Sequence, residues 1–298
     1  MKIGVDLGGT KVEVAVLADD GSIKWRKREP TPQDDYEGCI RLVCDLVLQG
    51  EKDTACDATV GLGIPGAISQ ATGLVKNANA QWLNGRPLNQ DIVAVLGRPV
   101  RIANDANCLA LSEAVDGAGK GATTVFGVII GTGVGGGIAV NGRPLEGRSR
   151  IAGEWGHTPL TRYDDDPVAP DPTCWCGRKR CMEAYISGPA FSRDYEAVTG
   201  IKLTAELIVE RMRDGESDAT RCFERYVESF SRGLATVINI LDPDVIVLGG
   251  GMSNISELYD AIPDSISDQV FTDVFDTPIK PAVHGDSSGV RGAAWLWA

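Results

Sequence analysis

The sequence contains no apolar run that approaches the ~18 residues of a membrane-spanning helix. It also lacks a surplus of basic residues, because 29 Lys and Arg stand against 41 Asp and Glu and leave a net charge of −12. A face that binds the phosphate backbone of a nucleic acid has to be basic. Neither a membrane nor a nucleic acid is therefore an expected partner. No signal peptide fits the N-terminus, where residues 2–6 have the pattern of a strand and a loop.

Cysteine is too scarce and too scattered for a disulfide framework. Three of the eight Cys are close together, and the other five stand apart, most of them among apolar neighbours: Cys39, Cys44, Cys56, Cys108 and Cys222. Isolated thiols of this kind are typical of a reducing compartment. The expected location is therefore the cytoplasm.

The hydrophobic pattern alternates between strands and helices over 298 residues, a length that exceeds one typical core. Strands are predicted at 3–5, 12–16, 59–64, 100–103, 124–130, 138–140 and 245–248. Helices are predicted at 34–49, at 91–96, from the segment 104–107 to about 116, over most of 188–241, from after 251 to about 270, and at 290–297. This alternation indicates an α/β fold. Both halves begin with a strand, a Gly/Thr loop and a returning strand, which hints at duplication with a boundary near the glycine cluster at 117–121.

Three glycine-rich loops each follow a predicted strand: Gly8-Gly9-Thr10-Lys11, Gly131-Thr132-Gly133 with Gly135-Gly136-Gly137, and Gly249-Gly250-Gly251. Glycine lets backbone N–H groups approach an anion closely, and the Thr hydroxyls add donors for phosphate oxygens. A tight hairpin turn is the alternative for each loop alone, whereas three loops together favour nucleotide binding. Gly131, Gly133 and Gly136 match G-x-G-x-x-G, but a predicted strand follows them where a dinucleotide fold needs a helix.

Two carboxylates stand at predicted strand ends. Asp6 precedes the first loop and could hold Mg²⁺ directly or through water; a turn Asp that bonds to nearby backbone is the alternative. Asp105 follows Asn104 at the carboxyl end of a strand, where α/β sheets gather ligands, and could act as a general base in phosphoryl transfer. The alternative for Asp105 is a helix N-cap, a position that Asp favours.

Residues 153–183 hold the densest set of potential ligands. His157, Cys174, Cys176 and Cys181 supply one imidazole and three thiolates, the usual set of a structural zinc site. Free cysteines in a surface loop are the alternative. A His that binds zinc through one nitrogen can present the other to a sugar hydroxyl. Further donors and acceptors for a sugar are Asn104, Asp105, Glu154 and Glu183; a solvated helix start is the alternative for Glu183.

These motifs together resemble the ROK family of sugar kinases and repressors over nearly the whole chain. Residues 6–11 (DLGGTK) look like its first phosphate motif, and residues 131–137 (GTGVGGG) look like its second. Residues 153–157 (GEWGH) with the Cys-x-Cys-x4-Cys of 174–181 look like its sugar and zinc signature, and 248–253 (LGGGMS) is similar to the segment beside adenosine. The resemblance implies an actin/hexokinase-like (ribonuclease H-like) fold, with two α/β domains around a central cleft.

The resemblance also implies domains, cofactors and residue roles. An N-terminal domain of residues 1–118 would receive the C-terminal helix at 289–298, and a domain of 119–288 would carry the zinc loop at 157–181. The implied cofactors are ATP, Mg²⁺ and structural Zn²⁺. Asp105 would take the proton from a primary hydroxyl. The hexose would be bound by Gly66, Asn79, Asn104, Asp105, Glu154, His157 and Glu183. The nucleotide would be bound by Asp6, Gly8, Gly9, Thr10, Lys11, Gly131, Thr132, Gly133, Gly135, Gly250, Gly251 and Met252.

Within the family, residues 77–85 and 284–297 most resemble the fructokinase branch. The expected enzyme is thus an ATP-dependent kinase for the 6-hydroxyl of fructose, with N-acetylglucosamine kinase or glucokinase as the alternative. Family repressors carry a helix-turn-helix ahead of the kinase-like part. Because the first phosphate motif starts at residue 6, a kinase is favoured over a non-catalytic sugar-sensing regulator. A zinc-organised interaction module would leave the glycine loops unexplained.

A homodimer is expected, because members of the family usually form dimers or tetramers. The acidic, Pro-rich stretch 164–172 departs from the family pattern. It is expected to be a solvated loop that could touch a neighbouring subunit.

Overall fold

The computed structural model describes residues 1–161 and 171–297, and the chain divides into two compact units. Unit 1 comprises Met1–Gly127, Gly137–Gly153 and Ala282–Ala298, and unit 2 comprises Val128–Gly136 and Glu154–Pro281. The acidic stretch 164–172 lies, apart from its last two residues, outside the described residues, so its role stays a prediction.

The predicted boundary near 117–121 differs from this division, which changes at Gly127. The glycine cluster is bonded back to the helix before it, because the backbone N–H of Gly119 donates to the carbonyl of Glu113 at 2.9 Å. The cluster therefore belongs to the compact body that precedes it. The assignment of two functional domains remains a prediction.

The strands lie close to their predicted positions, and the strand predicted at 124–130 is found with those bounds. One correction concerns residues 131–137, for which a glycine turn was the prediction: the returning strand already begins at Val134. The strands are β1 (Lys2–Leu7), β2 (Lys11–Leu17), β3 (Ile23–Pro30), β4 (Thr59–Ile64), β5 (Ala67–Ile68), β6 (Val75–Lys76), β7 (Val100–Asn104), β8 (Thr124–Ile130), β9 (Val134–Val140), β10 (Arg143–Pro144), β11 (Val245–Gly249) and β12 (Ile279–Pro281).

The helices also follow the predicted segments, and side chains or glycines define several of their ends. Asp35 caps the first helix by accepting from the N–H of Gly38, and Gly97 and Gly200 end two others in the left-handed conformation. The α-helices are α1 (Tyr36–Thr54), α2 (Leu88–Leu96), α3 (Asp105–Asp116), α4 (Glu183–Ile186), α5 (Gly188–Thr199), α6 (Ala205–Arg213), α7 (Ser217–Leu241), α8 (Leu258–Ile266) and α9 (Ser288–Trp295).

Two five-stranded sheets share one topology. The first has the order β3-β2-β1-β4-β7, and the second has the order β10-β9-β8-β11-β12. In each sheet, antiparallel strands lie on one side and parallel strands on the other. The pairs β1–β2 and β9–β10 are antiparallel, and the pairs β1–β4 and β11–β12 are parallel. The repeated order extends the hint of duplication from the sequence to the level of topology.

The first sheet is covered by helices on both faces. Side chains alternate along a strand, so Ile3 and Val5 of β1 pack in the large core shared with α1 and α2. The opposite face meets α9, where Val290, Ala294 and Trp295 pack with Leu17. The α/β architecture expected from the sequence is thus present in unit 1.

The backbone of helix α9 packs directly against the backbone of the first sheet and against that of α3. A Cβ atom on Gly4 of β1 would lie 1.8 Å from the carbonyl oxygen of Val290, and one on Gly292 would lie 1.7 Å from that of Cys108 in α3. Any larger residue at either position would push the elements apart, since protein interiors have no spare volume. Within unit 1, α9 therefore packs directly on β1 and α3.

A buried carboxylate ties α3 to the segment that leads into α9. Glu113 is fully buried, and its side chain accepts from the N–H groups of Ala118 (2.8 Å), Val283 (3.1 Å) and His284 (3.4 Å). It also accepts from the hydroxyl of Ser288 at 3.0 Å. One side chain thereby fixes both the end of α3 and the start of α9.

A second buried carboxylate contradicts the simple alternation expected for β2. The period-two pattern of Val12, Glu13 and Val14 suggests a solvated Glu, yet Glu13 is fully buried. Its Oε1 lies 2.6 Å from the Nε of Arg26 and its Oε2 accepts from Arg28 at 2.8 Å, both on the neighbouring β3. A cross-strand charge pair can replace water around a buried carboxylate, which the pattern of one strand does not reveal.

Unit 2 is built around α7, the longest helix among the described residues. Phe223, Tyr226 and Phe230 on one side of α7 are buried, and the rings of Phe191 and Tyr226 lie 5.2 Å apart. None of the helices in the described ranges has the length and apolar character needed to cross a membrane.

We predict that Glu113→Ala lowers the free energy of unfolding by about 2–4 kcal/mol, because three N–H groups and the buried hydroxyl of Ser288 lose their acceptor at once. Urea titration followed by circular dichroism measures this loss. The exposed Glu224→Ala on α7 is the matched control and should stay within about 0.5 kcal/mol of the parent protein. An unchanged midpoint for Glu113→Ala would show that this carboxylate does not hold α3 and α9 together.

Candidate functional site

The first glycine loop connects β1 to β2 as a tight hairpin. The N–H of Gly8 donates to the carbonyl of Lys11 at 2.9 Å, and the hydroxyl of Thr31 donates to the carbonyl of Gly8 at 2.7 Å. Gln33 donates to the carbonyl of Gly9 at 3.0 Å. The alternative interpretation of this loop, a tight hairpin turn, therefore describes its backbone correctly. It is compatible with phosphate binding, which stays a prediction for Gly8, Gly9, Thr10 and Lys11.

Asp6 lies at the end of β1 with its carboxyl enclosed by unit 1. Its pKa is raised to about 7, first by burial and then by the negative charges of Asp105 and Glu13. Helix α9 contributes to the enclosure, because a Cβ on Gly289 would lie 2.9 Å from Asp6 Oδ2. A bound cation would favour the ionised carboxylate, so the chemistry of Asp6 fits an Mg²⁺ ligand.

Asn104, and not Asp105, is the N-cap of α3. The side chain of Asn104 accepts from the N–H of Ala106 at 2.9 Å, and Asp105 is the first residue of the helix. The carboxylate of Asp105 also accepts from Ala106 at 2.8 Å. Asp105 thus lies in the first turn of α3, at the positive end of the helix dipole, where an acidic side chain is favoured.

Three of the predicted sugar residues of unit 1 lie in one neighbourhood. Asn104 donates through Nδ2 to the carbonyl of Gly66 at 3.1 Å. A Cβ on Gly66 would lie 2.7 Å from the backbone nitrogen of Ala78, so the segment with the exposed Asn79 passes directly beside Gly66. The ends of β4 and β7 and the loop at 77–80 are therefore brought together.

The second and third glycine loops meet in unit 2. The N–H of Gly188, at the start of α5, donates to the carbonyl of Gly131 at 2.9 Å. Gly250 has a φ of 86°, and a Cβ there would lie 2.4 Å from the carbonyl oxygen of Ile130, so only glycine fits between the two loops. Loops far apart in sequence thus lie side by side at the ends of β8 and β11.

A cavity of about 800 Å³ opens beside these two loops. It takes in the predicted residues Gly131, Thr132, Gly251 and Met252. Its other walls come from α5, the loop after it and the start of α6, which the sequence analysis missed: Gly188, Pro189, Ser192, Arg193, Glu196, Lys202, Leu203, Thr204, Ala205 and Glu206. The helix start Ser187-Gly188-Pro189, with Ser187 as the N-cap, is the sequence signal that could have marked this wall.

The four predicted zinc ligands are brought together in unit 2. The ligand atoms of His157, Cys174, Cys176 and Cys181 all lie within 4.8 Å of one another. The Sγ atoms of Cys176 and Cys181 are 3.6 Å apart, and Cys174 Sγ is 3.7 Å from His157 Nδ1. Zinc–sulfur bonds of about 2.3 Å in a tetrahedron place two sulfurs about 3.8 Å apart. The cluster therefore fits a tetrahedral zinc ion.

The local backbone explains this convergence. The N–H of Gly177 donates to the carbonyl of Cys174 at 2.9 Å, which closes the tight turn that carries Cys176. Cys181 is returned beside His157 by an isolated bridge to Pro159 and by the bond from Met182 N to Thr158 O at 3.0 Å. Burial raises the pKa of the Cys174 thiol to about 12. Several thiolates this close need a cation to balance their charge, as a zinc site provides.

Glu183 connects the zinc cluster to the second glycine loop. Its Oε2 accepts from the N–H of Val134 at 3.0 Å, and its Oε1 accepts from the thiol of Cys174 at 3.5 Å. Trp155, between the predicted residues Glu154 and His157, donates from its indole nitrogen to the carbonyl of Gly135 at 3.0 Å. Glu183 is indeed the first residue of α4, as the helix-start alternative has it, but its carboxylate is engaged by these two bonds within unit 2.

His157 sits in a short 3-10 turn, Trp155–His157, for which Glu154 is the preceding cap residue. The ring of Trp175 stands edge-on to the imidazole, with centroids 5.4 Å apart and an angle of 77°. With Nδ1 turned towards Cys174, Nε2 is the nitrogen available for another partner. Trp175 had not been predicted as a neighbour, although its place between two ligand cysteines is visible in the sequence.

Comparison with characterised proteins gives close full-length relatives. The chain is 40% identical over 301 residues to a protein named N-acetyl-D-glucosamine kinase from Pasteurella multocida (strain Pm70), covering 100% of this chain and 99% of the relative. It is 39% identical over 299 residues to an N-acetyl-D-glucosamine kinase from Pectobacterium atrosepticum, covering 99% and 98%. These relatives do not support the expected fructokinase branch.

Solved structures of similar fold confirm the predicted hexokinase-like α/β architecture. The ROK hexokinase from Thermus thermophilus matches with a TM-score of 0.87 and 29% identity, over 99% of this chain and 97% of the other. A ROK family glucokinase from Streptomyces griseus, in complex with glucose and AMPPNP, matches with a TM-score of 0.78 and 29% identity, over 99% and 98%. The sequence profile of the ROK family matches residues 2–298. With the glycine loops and the His-Cys cluster in place, the chain belongs to the ROK family.

Proposed function

We propose that this protein is an ATP-dependent sugar kinase that phosphorylates the 6-hydroxyl of N-acetylglucosamine. The observation that carries the proposal is an identity of 38–40%, over nearly the whole chain, to several proteins that are named N-acetyl-D-glucosamine kinase. The solved glucokinase complex with glucose and AMPPNP supports ATP as the phosphoryl donor. Fructose, the sugar first expected, becomes the minor alternative beside mannose and glucose.

Asp105 is the proposed general base. A carboxylate is a weak base, but in a loose phosphoryl-transfer transition state the proton leaves late and positioning dominates. Asn104 takes over the capping of α3. The carboxylate of Asp105 is proposed to take the proton of the substrate hydroxyl, whose oxygen attacks the terminal phosphorus while ADP leaves.

Gly66, Asn79 and Asn104 are proposed to bind the sugar, and they lie near one another within unit 1. Glu154, His157 and Glu183 are proposed as further sugar ligands. His157 would donate or accept through Nε2, with the imidazole oriented by its Nδ1 ligation and by the ring of Trp175. Glu183 retains lone pairs beyond those that accept from Val134 and Cys174, so it can also accept from a sugar hydroxyl.

The nucleotide is proposed to bind at the glycine loops. Thr132 and Gly131 line the unit 2 cavity together with Gly251 and Met252, and this cavity is large enough for a nucleoside. Asp6 would hold Mg²⁺, which when bound neutralises the developing charge on the phosphates. Zinc at His157, Cys174, Cys176 and Cys181 would brace the loop and take no part in the transfer.

A comparison of sugars tests the proposed substrate. Initial rates of ADP release, measured by a coupled assay, should give the highest kcat/KM for N-acetylglucosamine and lower values for fructose, mannose and glucose. A higher kcat/KM for fructose would restore the fructokinase hypothesis. An absence of sugar-dependent turnover with every sugar would instead indicate a sugar-binding regulator.

We predict that Asp105→Asn lowers kcat by about 10²–10⁴-fold, the scale of a lost general base. The Kd for sugar should change little, because the amide keeps the shape and hydrogen-bonding capacity of the side chain. Stopped assays of ADP and calorimetric sugar titration measure the two effects. The exposed Asp260→Asn on α8 is the control and should have parent kinetics. Near-normal turnover of Asp105→Asn would remove Asp105 from the role of base.

We predict that Cys176→Ser releases the metal and weakens sugar binding, because His157 loses the ion that orients it. Purified parent protein should contain about one zinc per chain by plasma mass spectrometry, on the basis of its one four-ligand cluster. The control Cys56→Ser, at a cysteine outside the cluster, should keep its zinc. Equal zinc content in both variants would refute the zinc site.

A further inference from the structure

Unit 1 contains a second cavity, of about 630 Å³, at the free edge of the first sheet. None of the residues proposed above for sugar, nucleotide or zinc lines it. Its walls come from the edge strand β7, from α2, from the loop around β10 and from the end of α9: they include Val100, Arg101, Ile102, Asn89, Arg143, Pro144, Glu146, Arg150 and Leu296. Its volume falls within the range of small-molecule sites, about 300–1,000 Å³.

The lining of this edge cavity is cationic in an otherwise acidic chain. The lining includes three arginines, Arg101, Arg143 and Arg150, and a single carboxylate, that of Glu146. Arg150 Nη1 and Glu146 Oε1 are 2.6 Å apart, so one of the three positive charges is balanced. Arg143 is exposed and has no ion pair within the described ranges. Among the described residues, Arg101 and Arg143 thus form no ion pair, in a protein whose net charge is −12.

Two of the three arginines are held in place by their surroundings. Arg101 donates through Nη1 to the carbonyl of Leu296 at 2.5 Å and lies over the ring of Trp297, 4.2 Å from its centroid. Arg150 is oriented by Glu146. Guanidinium groups with restricted rotation lose little entropy when they bind an oxyanion, and their planar fork matches a phosphate.

The rest of the wall is apolar and amide in character. Ile68, Val100 and Pro144 offer apolar surface, and Gln70 supplies an exposed amide. A bare inorganic anion would leave most of this volume unfilled. The lining instead suits a molecule that joins a phosphate group to a small, hydroxyl-bearing body.

We propose that the edge cavity is a binding site for a small phosphate monoester, such as a sugar phosphate. The site is separate from the residues proposed for catalysis. It shares strand β7 with them, because Arg101 lies three residues before Asn104, or about 10 Å along the strand. An occupant of the cavity would therefore contact β7, the strand that ends one residue before the proposed base Asp105.

Calorimetry on the full chain tests this site. The protein is first saturated with N-acetylglucosamine and AMPPNP, and is then titrated with N-acetylglucosamine 6-phosphate, with 3-phosphoglycerate and with inorganic phosphate. We expect one site per chain for at least one phosphate ester. Arg143→Gln and Arg150→Gln should each weaken its affinity about tenfold or more, the loss expected for a hydrogen bond to a charged group.

Arg148→Gln is the matched control, since Arg148 is exposed in the same loop and does not line the cavity. It should bind the ester like the parent, and all three variants should keep the parent kcat at saturating substrates. Binding of the sugar phosphate alone would identify the kinase product as the ligand, and binding of both esters would identify a general phosphate monoester site.

Three results would overturn the proposal: no heat with any phosphate ester, equal binding by Arg143→Gln and Arg148→Gln, or a change in oligomer mass on replacing Arg143. The last result, read by light scattering, would show that the cavity is part of a face between copies of the chain. A protein without kinase activity would refute the proposed function but not the proposed phosphate ester site. Binding of the ester is measured directly, and the titration can be repeated without the two blocking ligands.

Discussion

Unit 1 depends on the backbone-to-backbone packing of α9 against the first sheet and α3. Glycine at positions 4 and 292 leaves no side chain between these elements, and the carboxylate of Glu113 bonds to both α3 and the entrance of α9. Because α3 begins at Asp105 and α9 begins beside Asp6, this packing fixes the two acidic side chains relative to each other. The C-terminal segment is thus a structural part of the proposed catalytic machinery of unit 1.

The repeated strand order explains where the glycine loops lie. In each sheet the central strand, β1 or β8, forms a hairpin with the next strand, and the hairpin turn is a glycine loop. The third loop follows β11, the strand on the other side of β8, and Gly250 allows it to pack directly on Ile130. Phosphate-binding backbone can therefore be presented by one strand topology that the chain uses twice.

In unit 2 the zinc cluster and the second glycine loop form one connected structure. Glu183 accepts from Val134 on one side and from Cys174 on the other, and Trp155 bonds to Gly135. A change at the cluster should consequently alter the loop proposed to hold phosphate, because these hydrogen bonds join the two directly. In the proposed enzyme the metal would stabilise the nucleotide loop as well as orient His157.

The sequence by itself determined the element order, the three loops, the four zinc-type ligands and the position of Asp105 at a strand–helix junction. These are local signals: side-chain period, glycine, and the spacing of Cys and His. The sequence could not reveal that Glu13 and Glu113 are buried, that Asn104 is the cap of α3, or that α5 and α6 wall the unit 2 cavity. Glu13 and Glu113 depend on partners distant along the chain, such as Arg28 and Ser288. The cap bond from Ala106 to Asn104 is local, but Asn and Asp are both favoured caps, and the bond from Asn104 to Gly66 is long-range. Only the tertiary structure decides such pairings, because a buried polar group takes its character from the groups that replace water around it.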